Sequence, residues 1–315
     1  MEKIKNILSI LLILSMLFAF VSCGDPDSGD DVGGNGGDVN DNTGNDDTQN
    51  DGAVENFTYR VKVLSEYGLP IKEAMVYVHK SDESFHVIGE PALTDENGVA
   101  TFTIPSNDNY SVQVISASDR YLVPEGDAAY GRYALSTEEL VIRLSYNPEY
   151  TPTAYTLGDK LADITLTDVN GNTHQLSELL KTKDMVMLNF WFVGCPPCRA
   201  EFPAINSAYN AHKDNIEILA INNTDSIGSV QKFPSNYNLT IDFPLIAGNN
   251  TLHPGKFGSQ YCPTTVIVDR YGVICLIEIG GIPSEGVWSN VFAYFTSDGY
   301  TQSLFTSVDD ILSLN

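Results

Sequence analysis

The chain has 315 residues, is 43% hydrophobic and carries a formal net charge of −24. That length holds two domains with additional segments, and the hydrophobic content is that of a globular protein. The negative balance excludes nucleic acid and anionic lipid as electrostatic partners.

Residues 1–22 read as an export signal. Lys3 and Lys5 precede an apolar run from Ile7 to Val21, which is short for a membrane span. The run closes on Phe20-Val21-Ser22-Cys23. This resembles a bacterial lipobox, which implies that Cys23 is lipidated and becomes the mature N-terminus. From Gly24 to Asn56 the composition turns to Asp, Gly and Asn, without a Lys or Arg. Such a segment buries too little apolar surface to offset its ordering entropy, so residues 23–56 are expected to be a lipidated cysteine and an acidic tether. Its Asp-x-Asp spacings lack the terminal Glu of a calcium loop.

Residues 57–147 are predicted to be all-β. Tyr59–Leu64, Ala74–Val78, Val99–Ile104, Tyr110–Val114 and Leu140–Leu144 alternate apolar and polar residues, and turn residues such as Gly68-Leu69-Pro70 and Asn97-Gly98 separate them. Short strands at this spacing predict a small sandwich. The runs Gly68–Val78 and Thr94–Phe102 resemble carboxypeptidase-regulatory-like, prealbumin-type domains, which implies an accessory module. It holds no catalytic constellation; His79 and His86 are expected to be exposed strand or loop residues.

Pro148–Pro152 form a joint to a second domain, residues 153–298. Here Leu161–Leu166 and the stretch after Asn170-Gly171 predict a hairpin, with Ser177 capping a short helix. Met185–Phe192 is an apolar run broken only by Asn189, the pattern of a buried strand. Phe202, Ile205 and Tyr209 then recur at helical spacing. Cys195 and Cys198 lie where that strand ends and the helix begins. Unpaired N–H groups and the helix dipole stabilise a thiolate at Cys195, making it a nucleophile. Cys198, one turn on, can close a disulfide to it. Pro196 and Pro197 suit a helix start. A zinc site would need two further ligands, and no second Cys-x-x-Cys exists. The remaining predicted elements are a strand at Ile216–Asn222, a helix at 226–238 interrupted at Pro234, a short strand at Phe243–Ile246, a hairpin from Pro263–Asp269 and Val273–Ile279, and a last helix opened by Ser284. Residues 299–315 form an additional tail without an assigned role.

The Trp191-x-x-x-Cys195-x-x-Cys198 arrangement, Pro197 before the second cysteine, Pro203 after it and the element order resemble the thioredoxin fold, and within it the TlpA/ResA/DsbE-like thiol-disulfide oxidoreductases. The resemblance implies an α/β domain with a mixed central sheet and helices on both faces, preceded by the β-sandwich. It implies a redox dithiol as the only cofactor, disulfide-containing protein substrates, a thiol-type membrane electron donor and extracytoplasmic work such as cytochrome c maturation. It makes Pro263 a cis-proline facing the dithiol, with Trp191, Pro196, Pro197, Cys262 and Thr264 beside the substrate. It also makes Glu201 a proton relay to Cys198; the alternative for Glu201 is a solvated residue pairing with Arg199 or Lys213. Cys262 either lies near the Cys195 sulfur and tunes or competes in exchange, or is a small hydrophobe. Phe192 and Val193 belong to an apolar rim or to the core. Cys275, counted to lie opposite about Val266, reads as a buried free thiol. Two other functions stay open: an AhpC/TSA-type peroxidase, although its Pro-x-x-x-Thr-x-x-Cys turn is absent, and a non-enzymatic surface lipoprotein.

Overall fold

Alternation in β1 (Asn56–Ser65) buries Tyr59, Val61 and Val63 on one face, as a half-buried strand requires. The computed structural model describes residues 55–81, 87–105, 109–124, 132–136, 138–248 and 251–314. The export signal, Cys23, nearly all of the tether and His86 lie outside the described residues. Two sheets follow from β1 to β7. One has the order β4-β1-β7, where β4 is Val99–Pro105 and β7 is Leu140–Leu144. The other has the order β3-β2-β5-β6, from Ala92–Leu93, Met75–Lys80, Tyr110–Ser116 and Arg132–Ala134. Inward residues of both sheets, Val61 and Ile142 from one and Val76 and Val112 from the other, share one core. His79 is buried at 8% exposure, not exposed as expected. Alternation places it beside Tyr77, on the face opposite Val76 and Val78, and its ring stacks on Tyr77 with centroids 6.3 Å apart.

The second region is built on a five-stranded sheet of order β12-β11-β10-β13-β14. These strands are Leu245–Ala247, Ile216–Asn222, Met185–Phe190, Thr264–Asp269 and Ile274–Ile279. β10 pairs in parallel with β11 and antiparallel with β13. Every residue of β10 is buried, which is why its sequence is apolar but for Asn189. Helices α2 (Pro196–His212), α3 (Ile227–Tyr237) and α4 (Glu285–Phe295) contribute to the core that contains Met185 and Met187. The opposite face, with Val186, Leu188 and Phe190, is covered by Leu166 of the β8–β9 hairpin (Thr165–Thr167, Thr173–Gln175), Leu176 of the one-turn α1 (Leu176–Leu179) and Phe257 of a 3-10 turn. The long helices therefore share one face instead of dividing between two. The reason is handedness: successive right-handed parallel crossovers through α2 and α3 move in one direction and land on one side. This is a thioredoxin-like fold in which β10, β11 and β12 run parallel, with β12 at the edge.

Several local expectations change. α3 runs through Pro234 without a break. Gln175, not Ser177, is the N-cap position of α1, and the Ser177 hydroxyl donates to Asp163 instead. The short strand starts at Leu245, after Phe243-Pro244. Cys275 is not opposite Val266 as expected: regular counting from the Asp269–Val273 closure places it opposite Ile267, and a β-bulge leaves it between Leu276 opposite Ile267 and Ile274 opposite Val268. Ser284 caps α4 by accepting from the Val287 N–H, as expected.

The tail beyond α4 covers the outer edge of the sheet. Phe305 bridges to Leu276 in parallel and its N–H donates to the Cys275 carbonyl at 2.8 Å. α5 (Val308–Leu312), held by a Ser307–Asp310 capping box, buries Val308 and Ile311. An exposed edge strand is a template for unwanted pairing, and this segment occupies it.

Both regions fall in one unit. Tyr67 stacks on Tyr271 with ring centroids 4.2 Å apart. Arg120 forms a 3.0 Å ion pair with the buried Asp159 and donates to the Leu157 carbonyl. Gly158 permits that approach, because a Cβ there would stand 2.7 Å from the guanidinium, and its φ is +82°. Tyr271 belongs to the β13–β14 hairpin, which lies by Met185 at the start of β10, since Met185 pairs with Asp269. The cysteines follow the other end of β10, about 20 Å away by strand length. The β region thus docks on the end of the sheet away from them.

Candidate active site

β10 ends at Phe190, and residues 191–194 lead from it into α2. Trp191 is 1% exposed and its ring packs on Phe202 and Phe233 at 5.1 and 4.5 Å. This corrects the expectation that it borders the substrate. It is a core residue beneath the loop, and burying so large a ring is what holds the loop down. The loop is also tied from outside the motif. Asp225 accepts from the Val193 N–H at 2.8 Å and from the Asn222 amide at 2.9 Å, while Asn222 accepts from the N–H groups of Thr224 and Asp225. Sequence reasoning missed this pair; the Asn222–Asp225 run after a strand is the turn pattern that points to it.

Cys195 is the N-cap of α2, with Pro196 and Pro197 in the first turn. The Cys198 N–H donates to its sulfur at 3.2 Å, so the sulfur occupies the place of a capping oxygen. The two cysteines are joined in a disulfide, S–S 1.99 Å. Cys195 is 1% exposed and Cys198 is fully buried, while Phe192, Gly194, Pro196 and Pro197 around them in the chain are exposed. Phe192 thus belongs to the surface rim, and the half-buried Val193 packs on the core.

The Cys262–Pro263 bond is cis, and the Cys262 carbonyl oxygen lies 3.7 Å from the Cys195 sulfur. This segment is fixed on both sides. Thr264 donates to the Tyr261 carbonyl at 2.8 Å, and the Gly280 N–H donates to the Pro263 carbonyl at 3.0 Å. Pro263 and Thr264 are buried, Cys262 is half-buried and Tyr261 is 71% exposed. The structure therefore brings Cys195, Cys198, Cys262 and Pro263 together. Thr264 supports the turn from below and does not face outward.

Glu201, one turn along α2 from Cys198, is fully buried. It accepts from the Asn189 amide at 2.9 Å and from the Ile282 N–H at 3.1 Å. The solvated alternative is thereby overturned; Arg199 instead lies over the Tyr237 ring. Burial raises the Glu201 pKa to about 7, against the lowering effect of its two donors. The Ile282 donor comes from the loop after β14. Gly281 lets that loop meet the helix tip, since a Cβ there would lie 3.0 Å from the Pro197 carbonyl. Trp288 of α4 secures it by donating to the Ile282 carbonyl at 2.9 Å. This backbone donor carries no signature in sequence.

A dithiol at a helix tip, facing a cis-proline in a thioredoxin-like fold with a buried acid behind it, defines a thiol-disulfide exchange protein. Relatives bear this out. The AhpC/TSA family model matches residues 157–277. The thiol-disulfide oxidoreductase ResA of Geobacillus kaustophilus is 34% identical over 136 residues, 43% of this chain and 76% of that protein. The thioredoxin-like protein YneN of Bacillus subtilis is 32% identical over 39% of this chain and 71% of its own length. Among solved structures, the thioredoxin domain of a thiol-disulfide oxidoreductase from Bacteroides vulgatus is similar at 22% identity with a TM-score of 0.38, covering 45% of this chain and all of that one. The chain belongs to the ResA-like thiol-disulfide oxidoreductases, and is an oxidoreductase enzyme.

Proposed function

We propose that this protein reduces disulfides of client proteins outside the cytoplasm, anchored to a membrane by a lipid on Cys23. The observation that carries this reading is the buried Glu201, with its pKa at about 7, one turn behind the Cys195–Cys198 pair. A group poised near the working pH is suited to exchanging protons with a neighbouring thiol. In the reduced enzyme, the Cys195 thiolate attacks one sulfur of the client disulfide, and the other client sulfur leaves and takes a proton. Cys198 gives its proton toward Glu201 and attacks the Cys195 sulfur. The second client thiol departs, and the Cys195–Cys198 disulfide is formed. A thiol-type membrane donor returns the two electrons. The backbone at Cys262–Pro263 receives the client by strand addition, and apoproteins of cytochrome c type are one client class. The β region, a small accessory sandwich, is a spacer: it docks on the end of the sheet away from the dithiol and leaves Phe192, Pro196 and Tyr261 uncovered.

The test is reduction of the interchain disulfides of insulin by the reduced protein, with Cys195→Ser inactive. Failure of the reduced protein to cleave insulin contradicts the reading. The AhpC/TSA match supports a second reading, a thiol peroxidase. Consumption of hydrogen peroxide at rates above those of a free thiol would favour it.

A further inference from the structure

We infer that Cys262 is a second resolving thiol, placed to release clients from Cys195 by forming a Cys195–Cys262 disulfide. The inference rests on Cys195 being the attacking sulfur. Three observations carry it. The Cys262 backbone is in contact with the Cys195 sulfur, 3.7 Å from the carbonyl oxygen. The segment is fixed by the hydrogen bonds of Thr264 and Gly280, so this proximity is built into the fold. The residue is half-buried and packs against the cores on both faces of the sheet, which keeps it at the rim of the dithiol. Cys275, the other free cysteine among the described residues, is fully buried in β14, beside the far end of β13.

The step balances without an added oxidant. In the mixed disulfide, Cys195 is bonded to a client sulfur. The Cys262 thiolate attacks the Cys195 sulfur, the bond to the client breaks, and the client sulfur leaves with the electron pair and takes a proton. Cys195 and Cys262 are left oxidised together, and the client is reduced. Cys198 then attacks the Cys195 sulfur, which returns Cys262 to a thiol and restores the Cys195–Cys198 disulfide. Burial and the nearby Glu201 carboxylate push the Cys262 thiol above its ordinary range. At neutral pH it therefore waits as a thiol while Cys198 resolves most adducts. Its own route gains as pH rises, because the thiolate is the nucleophile.

The experiment uses the full chain in a Cys23→Ser background and one equivalent of 5,5′-dithiobis(2-nitrobenzoate), with thionitrobenzoate release followed by absorbance. Reduced Cys198→Ala is expected to release a first thionitrobenzoate on forming the Cys195 adduct and a second as Cys262 resolves it. Peptide mass mapping then finds a Cys195–Cys262 bond and no retained label. The second phase accelerates about tenfold per pH unit below the thiol pKa. In Cys198→Ala/Cys262→Val the adduct persists, with a half-life at least about tenfold longer. Cys198→Ser in place of Cys198→Ala keeps the test available should the alanine variant fold poorly. A Cys195 adduct equally long-lived with and without Cys262 overturns the inference and leaves the dithiol reading intact. A Cys195 that takes no label brings down the dithiol reading, and this inference with it.

Discussion

β13 connects two buried carboxylates. At its N-terminal end the Asn189 amide bridges Thr265 and Glu201; at its C-terminal end stands Asp269, and each acid has cysteines in its neighbourhood. Asp269 accepts four hydrogen bonds, from the N–H groups of Tyr271 and Val273, the Tyr300 hydroxyl and the Gln302 amide. Glu201 accepts two, and its pKa rises to about 7. The cysteine beside Asp269 is Cys275, in contact with the Tyr300 hydroxyl at 3.6 Å and with its thiol pushed far up by burial. The cysteines near Glu201 stand at a helix tip just under an exposed rim. One end fully satisfies its charge acceptor and becomes a structural joint that pins the tail to the sheet. The other buries a carboxyl group with two donors, and burial raises its pKa to about 7. Donor number and access, not the presence of an acid and a thiol, separate chemistry from architecture.

The sharpest break of this comparison is Cys195→Ser, which is expected to lower insulin reduction by at least about a thousandfold while thermal unfolding stays close to wild type. Cys275→Ser, at the other end, leaves the turnover per folded molecule unchanged. Glu201→Gln comes next. It is expected to slow disulfide exchange by about a hundredfold at neutral pH and to flatten the pH–rate profile around pH 7.

Glu201 also leaves a mark on stability. Its folded pKa lies above the ordinary carboxylate value, so folding favours its neutral form. The stability it contributes is full below about pH 4.5, declines as pH rises, and is lost above about pH 7, a change of about 3 kcal/mol. Denaturant unfolding of wild type between about pH 5 and about pH 8 should show that slope, and Glu201→Gln should remove its part of it. Asp269→Ala is expected to cost about 3 kcal/mol by stranding four buried donors, with the reduction potential of the dithiol unmoved. The smallest effect is Cys275→Ala, about 1 kcal/mol from a small cavity, read as a shift in the denaturant midpoint.

The chemistry of the site was legible in sequence because it depends on local spacing. A buried strand followed by a helical repeat places Cys195 at a helix tip, and the same pattern places Pro196 and Pro197 where they are harmless. The five strands expected between Tyr59 and Leu144 are present, as are the β8–β9 turn and the Ser284 cap. What sequence did not disclose depends on tertiary neighbours. The burial of Glu201 is created by the Ile282 loop, 81 residues away. Trp191 sits at the motif yet points into Phe202 and Phe233, so proximity in sequence misplaced it at the surface. The bulge that displaces Cys275, the shared face of α2 and α3, and the tail on β14 arise from register and handedness, which alternation alone does not encode.

The central claim is that the tip of α2 makes Cys195 a thiolate at neutral pH. Ultraviolet thiolate absorbance of the fully reduced protein, titrated against pH with Cys195→Ser as the reference, tests it directly. The account predicts a Cys195 transition below about pH 7.5 that vanishes in the variant. A transition near pH 8.5, that of an ordinary thiol, would contradict it.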